Sequence, residues 1–130
     1  MSYLVDSDYV ADFLKGRPDA IQLLSSLPRD EIAISIVVFG EVVEGITFGR
    51  DRQRHEAGFR QFLRIADVLP LSRTTMRRFA DLRGTLRSQG KLIPDMDLLI
   101  AATAIATNRT LLTRNRQHFN RLQPFGLMLT

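Results

Sequence analysis

No cysteine occurs among these 130 residues. That excludes disulfides, thiolate nucleophiles and cysteine-ligated zinc or iron–sulfur sites, and it fits a reducing compartment. Histidine is scarce as well. His55 and His118 are the only two, too few for a zinc site built on imidazoles. Lysine is rarer than the basic balance suggests, since Lys15 and Lys91 are the only lysines among 18 basic side chains. No apolar run reaches the ~18–20 residues of a membrane span, and the first residues lack signal-peptide order. The chain is therefore expected to be cytoplasmic and soluble, with no membrane partner. It also lacks repeats, linkers and low-complexity stretches, so one domain over residues 1–130 is expected.

Several chemical templates are missing too. There is no phosphate-cradling glycine loop and no Gly-x-Ser-x-Gly elbow. Asp95-Met96-Asp97 starts like a calcium loop, but Ile100 and Ala106 stand where the loop needs Gly and Glu. Asp6-Ser7-Asp8 fails in the same way, with Arg17 in the last position. A receiver-like or phosphatase domain also uses acids at strand ends, but Lys91 precedes the central helix and no lysine lies near the last strands.

What is present begins with a hydrophobic fraction of 45%, enough for a real core. The net charge of +4 permits a nucleic-acid substrate without requiring one. Nearly all the bases are arginine, whose planar fork suits phosphate and carboxylate. The central stretch is Ile93 to Ala106. Pro94 suits a helix start, Asp95 or Asp97 suits its N-terminus, and the residues after Asp97 are apolar or small on every face. A helix apolar all round is buried, so at least one acid stands at the mouth of a buried helix.

Around it, strands and helices alternate. Tyr3-Leu4-Val5 reads as a buried strand ending at Asp6, and Ser7 and Asp8 read as caps of a helix reaching about Leu14. A short helix opens at Pro18, with Ile21, Leu23 and Leu24 on its buried side. A second strand covers Glu31 to Ser35, and Ser35 caps a helix to about Phe48. Residues Arg50 to Arg64 are helical, Ala66 to Leu69 form a third strand, and Ser72 or Thr74 caps a helix with Met76, Phe79 and Leu86 toward the core. Thr110 to Thr113 is a fourth strand and Leu127 to Leu129 a short fifth. This order implies βαβ crossovers: an α/β fold with a mostly parallel sheet of about five short strands flanked by helices.

In such sheets, sites gather at the carboxyl ends of the strands. Asp6 ends strand one, Glu41 lies in the helix after strand two, Asp97 opens the helix before strand four, and Asn115 follows strand four. If they converge, they make an oxygen-rich site suited to Mg²⁺ or Mn²⁺, able to activate water at a phosphodiester. Each has an ordinary competitor: a strand end for Asp6, an exposed helix charge for Glu41, an N-cap for Asp97, a turn for Asn115. Asp95 is either an N-cap or a further metal contact. Ser7 is either a local cap or a group supporting the acids. Glu44 reads as a solvated or salt-bridged charge, and His118 as a structural or rim residue.

The motifs, in order, resemble those of PIN-domain nucleases. Leu4-Val5-Asp6-Ser7-Asp8 is similar to the opening motif, and Ser35 to Glu41 with Gly45 to the second. Ile93 to Ala104 is similar to the third motif, and Leu112-Thr113-Arg114-Asn115 with His118-Phe119 to the fourth. The length and ending resemble the ribonuclease toxins of VapC-type toxin–antitoxin pairs. The resemblance implies a Mg²⁺-dependent endoribonuclease, with Mn²⁺ able to substitute, whose core acids and metal ligands are Asp6, Glu41 and Asp97. It implies a supporting hydroxyl at Thr113. Asn115 stands where many members carry a fourth Asp, which would weaken a second metal site or leave Asn115 to orient water or substrate. Arg114 and Arg116 follow by position as RNA contacts. The implied partners are RNA, a cognate antitoxin, promoter DNA through that antitoxin, and a second copy in a homodimer built on helices between Val37 and Phe62. The competing expectation is a PIN-like module that binds RNA or protein without cutting.

Overall fold

The computed structural model describes residues 1–130 and has a four-stranded, all-parallel sheet at its centre. Strand β1 (Tyr3–Val5) runs into α1 (Ser7–Leu14) and α2 (Pro18–Ser26). A 3₁₀ turn, Arg29–Glu31, leads to β2 (Ile32–Ser35), then α3 (Ile36–Thr47) and α4 (Arg52–Phe62). Then come β3 (Asp67–Leu69), α5 (Arg73–Ser88), α6 (Asp95–Ala106), β4 (Thr110–Leu112) and α7 (Arg116–Phe119). The spatial order is β3-β2-β1-β4. Tyr3 is in register with Ile32 on one side and Thr110 on the other.

This order decides where a site can form. From β1 the chain moves outward through β2 to β3, then returns to add β4 on the opposite flank of β1. The progression reverses between β1 and β4, and a crevice opens at the carboxyl ends of strands at such a point. Asp6 follows β1 there, and its backbone N–H donates to the Leu112 carbonyl at 2.9 Å, extending the ladder to the rim of the sheet.

The expected buried helix is α6. Leu98, Ile100, Ala101, Ala102, Thr103 and Ala104 are all fully buried. Small residues let neighbouring elements approach on every side. The one buried hydroxyl, that of Thr103, donates back to the Leu99 carbonyl at 2.8 Å and so costs little. Helices α3 and α4 are joined by Phe39 packing against Phe59 at a centroid distance of 5.6 Å, and within α4 Phe59 stacks on Phe62 at 6.2 Å. No helix is long and apolar enough to cross a membrane.

Some local expectations change. Asp6, not Ser7 or Asp8, is the cap of α1, because its carboxylate accepts the Ser7 N–H. The fifth strand shrinks to a single parallel bridge between Leu111 and Leu129, since Pro124 and Gly126 leave too little chain to extend it. Leu24 and Leu86 are buried as expected, whereas Ile21 and Met76 are exposed, and Ala20 and Leu82 join the core-facing positions of their helices. The periodicity of α2 and α5 is right, and the phase is set by which face meets the sheet.

Candidate active site

Asp6, Glu41 and Asp97 lie near enough to one another at the carboxyl end of the sheet for their charges to interact. Asp6 is almost fully buried. One of its oxygens accepts the Ser7 N–H at 2.8 Å, and the other accepts the Thr113 hydroxyl at 2.6 Å. Both bonds favour the charged form, yet burial outweighs them. With Asp8 and Asp97 adding repulsion, the Asp6 carboxyl is pushed up to about 6. Glu41 is carried in on α3, whose start is fixed by Ser35 accepting the Val38 N–H at 3.0 Å. Its Oε1 is buried and has no hydrogen-bond partner. Burial, then Asp6 and Asp97, raise its pKa, with the Ser7 hydroxyl acting in the opposite direction.

Asp97 sits in the first turn of α6 and meets His118, whose Nδ1 lies 2.7 Å from Oδ2. Asn115 Nδ2 is modestly farther from the same nitrogen, at 3.0 Å. A ring nitrogen carries either one hydrogen or one lone pair. An ionised Asp97 takes Nδ1–H, so the Asn115 carboxamide then turns its oxygen toward the ring. Thr113 links the other side of the site. It donates to Asp6 and accepts the Asn115 N–H at 3.0 Å. The sequence treats His118 as a rim residue. Its contact is with an acid twenty-one positions away, which no local pattern reveals.

No lysine or arginine pairs with these acids, and His118 is the one basic side chain that reaches them. Arg83 pairs with Asp95 at 2.9 Å, and the Asp95 side chain is 60% exposed. Asp95 thus pairs with that arginine at the surface. Arg114 is likewise committed. Its guanidinium lies 4.3 Å from the Tyr9 ring centroid and pairs with Asp12 and Asp19 at 3.0 and 2.6 Å. Its backbone N–H donates to Asp8 at 2.8 Å. Arg114 therefore clamps the loop after β4 onto α1 and α2. Arg116 opens α7 at the surface, and Glu44 is exposed.

The donor set is all oxygen, one buried oxygen is orphaned, and the acids repel one another. Those features fit a hard divalent cation. Asp6, Glu41 and Asp97 could hold it, although they do not converge as a closed three-ligand cage.

A parallel sheet in this order, with acids at the switch point, defines the class. A profile of the PIN domain matches residues 3–123, and the chain belongs to the PIN domain family. The particular relatives are VapC proteins. Ribonuclease VapC1 of Methanocaldococcus jannaschii is 32% identical, over 97% of this chain and 85% of its own. Ribonuclease VapC19 of Mycobacterium tuberculosis is 34% identical, over 89% and 90%. The crystal structure of VapBC2 from Rickettsia felis, bound to a DNA fragment from its promoter, superposes with a TM-score of 0.89. The two are 27% identical, and the match covers 100% of this chain and 98% of that one.

Proposed function

We propose that this protein is a Mg²⁺-dependent endoribonuclease toxin, neutralised by a cognate antitoxin and acting in the cytoplasm. One observation carries the chemistry: Glu41 holds a buried, unpartnered oxygen beside two further acids that no arginine reaches. The names of the VapC relatives support RNA as substrate, and the VapBC structure supports an antitoxin partner that carries the pair to promoter DNA.

Asp6, Glu41 and Asp97 would hold the ion. When bound, Mg²⁺ supplies positive charge to the phosphate and a nucleophilic water at neutral pH. Thr113 and the Ser7 N–H orient Asp6, one on each oxygen, and His118 orients Asp97 through Nδ1. Asn115 keeps an uncharged amide at the edge of the site, suited to holding water or a phosphate oxygen. Mn²⁺ fits the same oxygen donors. A homodimer is supported by the exposed apolar side chains Val43 and Phe48 along α3 and its end.

The test is RNA cleavage by wild type and Asp97→Asn with Mg²⁺, Mn²⁺ or EDTA. Metal-dependent cutting by wild type alone is expected. Equal cutting by the variant would remove Asp97 from the machinery. No cutting by wild type, together with no gain in thermal stability from Mn²⁺, would favour the non-catalytic module.

A further inference from the structure

Two grooves flank α3, and they differ in chemistry. One, between α3 and α4, is apolar, lined by Phe39, Val43 and Leu63 among others. The other, of about 470 Å³, runs between α1 and α3 toward α4. It begins at Glu41, with Ser7 and Asp8 beside it in the wall, and reaches Lys15 and His55 at its far end. The length of α1 separates the two ends, about 12 Å at 1.5 Å per residue.

The far end is a concentration of free donors. Lys15 is one of only two lysines and His55 one of only two histidines. Arg54 joins them, since its Nη2 would lie 3.8 Å from a Cβ placed on Gly16. None of the three is in an ion pair, unlike Arg17, Arg52, Arg83 and Arg114. Between the ends, apart from the apolar side chains of Leu14, Val42 and Ile46, the wall is low, at Ala11 and Gly45, and a Cβ on Gly45 would meet nothing within 4 Å. Glycine inside a helix is unfavourable, so a bare surface there suits close approach by a ligand. Glu44, also in this wall, is exposed to solvent.

A polynucleotide whose phosphate sits at the acids must continue in some direction. This groove begins at Glu41 and ends at the unpaired Lys15 and Arg54 with the His55 ring beside them, whereas the apolar groove suits a protein side chain. We propose that the α1–α3 groove is the track for the RNA segment next to the scissile phosphate, with Lys15, Arg54 and His55 contacting its backbone. The inference rests on the ribonuclease reading. It moves the backbone contacts from Arg114 to the opposite end of α1.

The experiment is a fluorescence-anisotropy titration with a labelled, mixed-sequence, single-stranded RNA 20-mer in EDTA, where metal-dependent cutting is off. Wild type is compared with Lys15→Ala/Arg54→Ala/His55→Ala, with Gly45→Leu, which fills the groove and keeps every charge, and with Arg78→Ala on α5 as a control. Both groove variants are expected to bind about tenfold more weakly. In the triple variant the salt slope should fall by about 0.7 for each phosphate that is no longer neutralised. Arg78→Ala should stay near wild type, and Mn²⁺ affinity, titrated separately without EDTA, should be unchanged throughout. Wild-type affinity in both groove variants, as expected if a protein segment fills the groove, overturns the proposal. So does an equally weakened Arg78→Ala, which would mean that only overall charge matters. If wild type cuts RNA and the groove variants bind it normally, the groove assignment alone fails. If wild type neither binds nor cuts, the ribonuclease reading fails with it.

Discussion

Asp6 combines burial with two hydrogen bonds, and burial dominates. Its folded pKa of about 6 lies above the ordinary 3.8. The folded chain therefore keeps a proton that the unfolded chain releases between those values. By linkage, stability falls as pH rises from about 4 to about 6 and then levels, by about 3 kcal/mol at most. Calorimetry in EDTA should show this slope in wild type and lose it in Asp6→Asn, which should also melt higher at pH 7. An unchanged slope in the variant would assign the titration to Glu41, whose pKa moves in the same direction. His118 is the other residue whose role depends on one contact. Its Nδ1 leaves only one oxygen of Asp97 free for an ion. Outer partners of this kind are worth about 10–100-fold in metal affinity, so His118→Ala should weaken Mn²⁺ binding by that factor in a direct titration. Affinity equal to wild type would make the contact purely structural.

Among the elements, α6 carries the most consequence. Its first turn presents Asp97 while the rest of the helix is embedded, so packing behind the acid sets the acid's position. Leu98 is fully buried, whereas Met96, two residues earlier, is 53% exposed. Leu98→Ala should cost about 2–5 kcal/mol through reduced burial and a cavity, and Met96→Ala should stay within about 0.5 kcal/mol. Urea unfolding of both variants measures the contrast, and similar costs would mean that α6 is oriented differently. The loop after β4 is held from outside the sheet. Arg114 ties it to α1 and α2 through Asp8, Asp12 and Asp19. That loop also carries Thr113 and Asn115, so the clamp keeps their hydroxyl and amide beside Asp6 and His118.

For the whole molecule, the β1–β4 crevice gathers negative charge that no lysine or arginine of the chain pairs with. A ligand that binds only the folded state stabilises it by about 2.7 kcal/mol at a hundred times its dissociation constant. Saturating Mn²⁺ should therefore raise the melting temperature of wild type by several degrees and leave Asp97→Asn nearly unmoved. An equal rise in both would put the ion elsewhere. The net charge of +4 lies mainly in arginines outside this crevice, so a basic surface surrounds an acidic centre.

Local patterning determined much of this by itself. Strand runs ending in polar residues, the uncharged stretch after Asp97 and the cap at Ser35 are written in neighbouring residues, because helix and strand periods act over a few positions. They were enough to expect an alternating, parallel architecture and to put Asp6, Glu41, Asp97 and Asn115 forward as candidates, each beside an ordinary competitor. Only the tertiary structure decided which acids and bases meet. Asp95 and Asp97 are two residues apart on one helix turn, yet one faces Arg83 at the surface and the other His118 in the crevice. Arg114 looked like a free base beside the site and is bound by two acids from α1 and α2. The pairings join residues 12 to 102 positions apart. They follow from strand order and helix packing, so no local spacing encodes them.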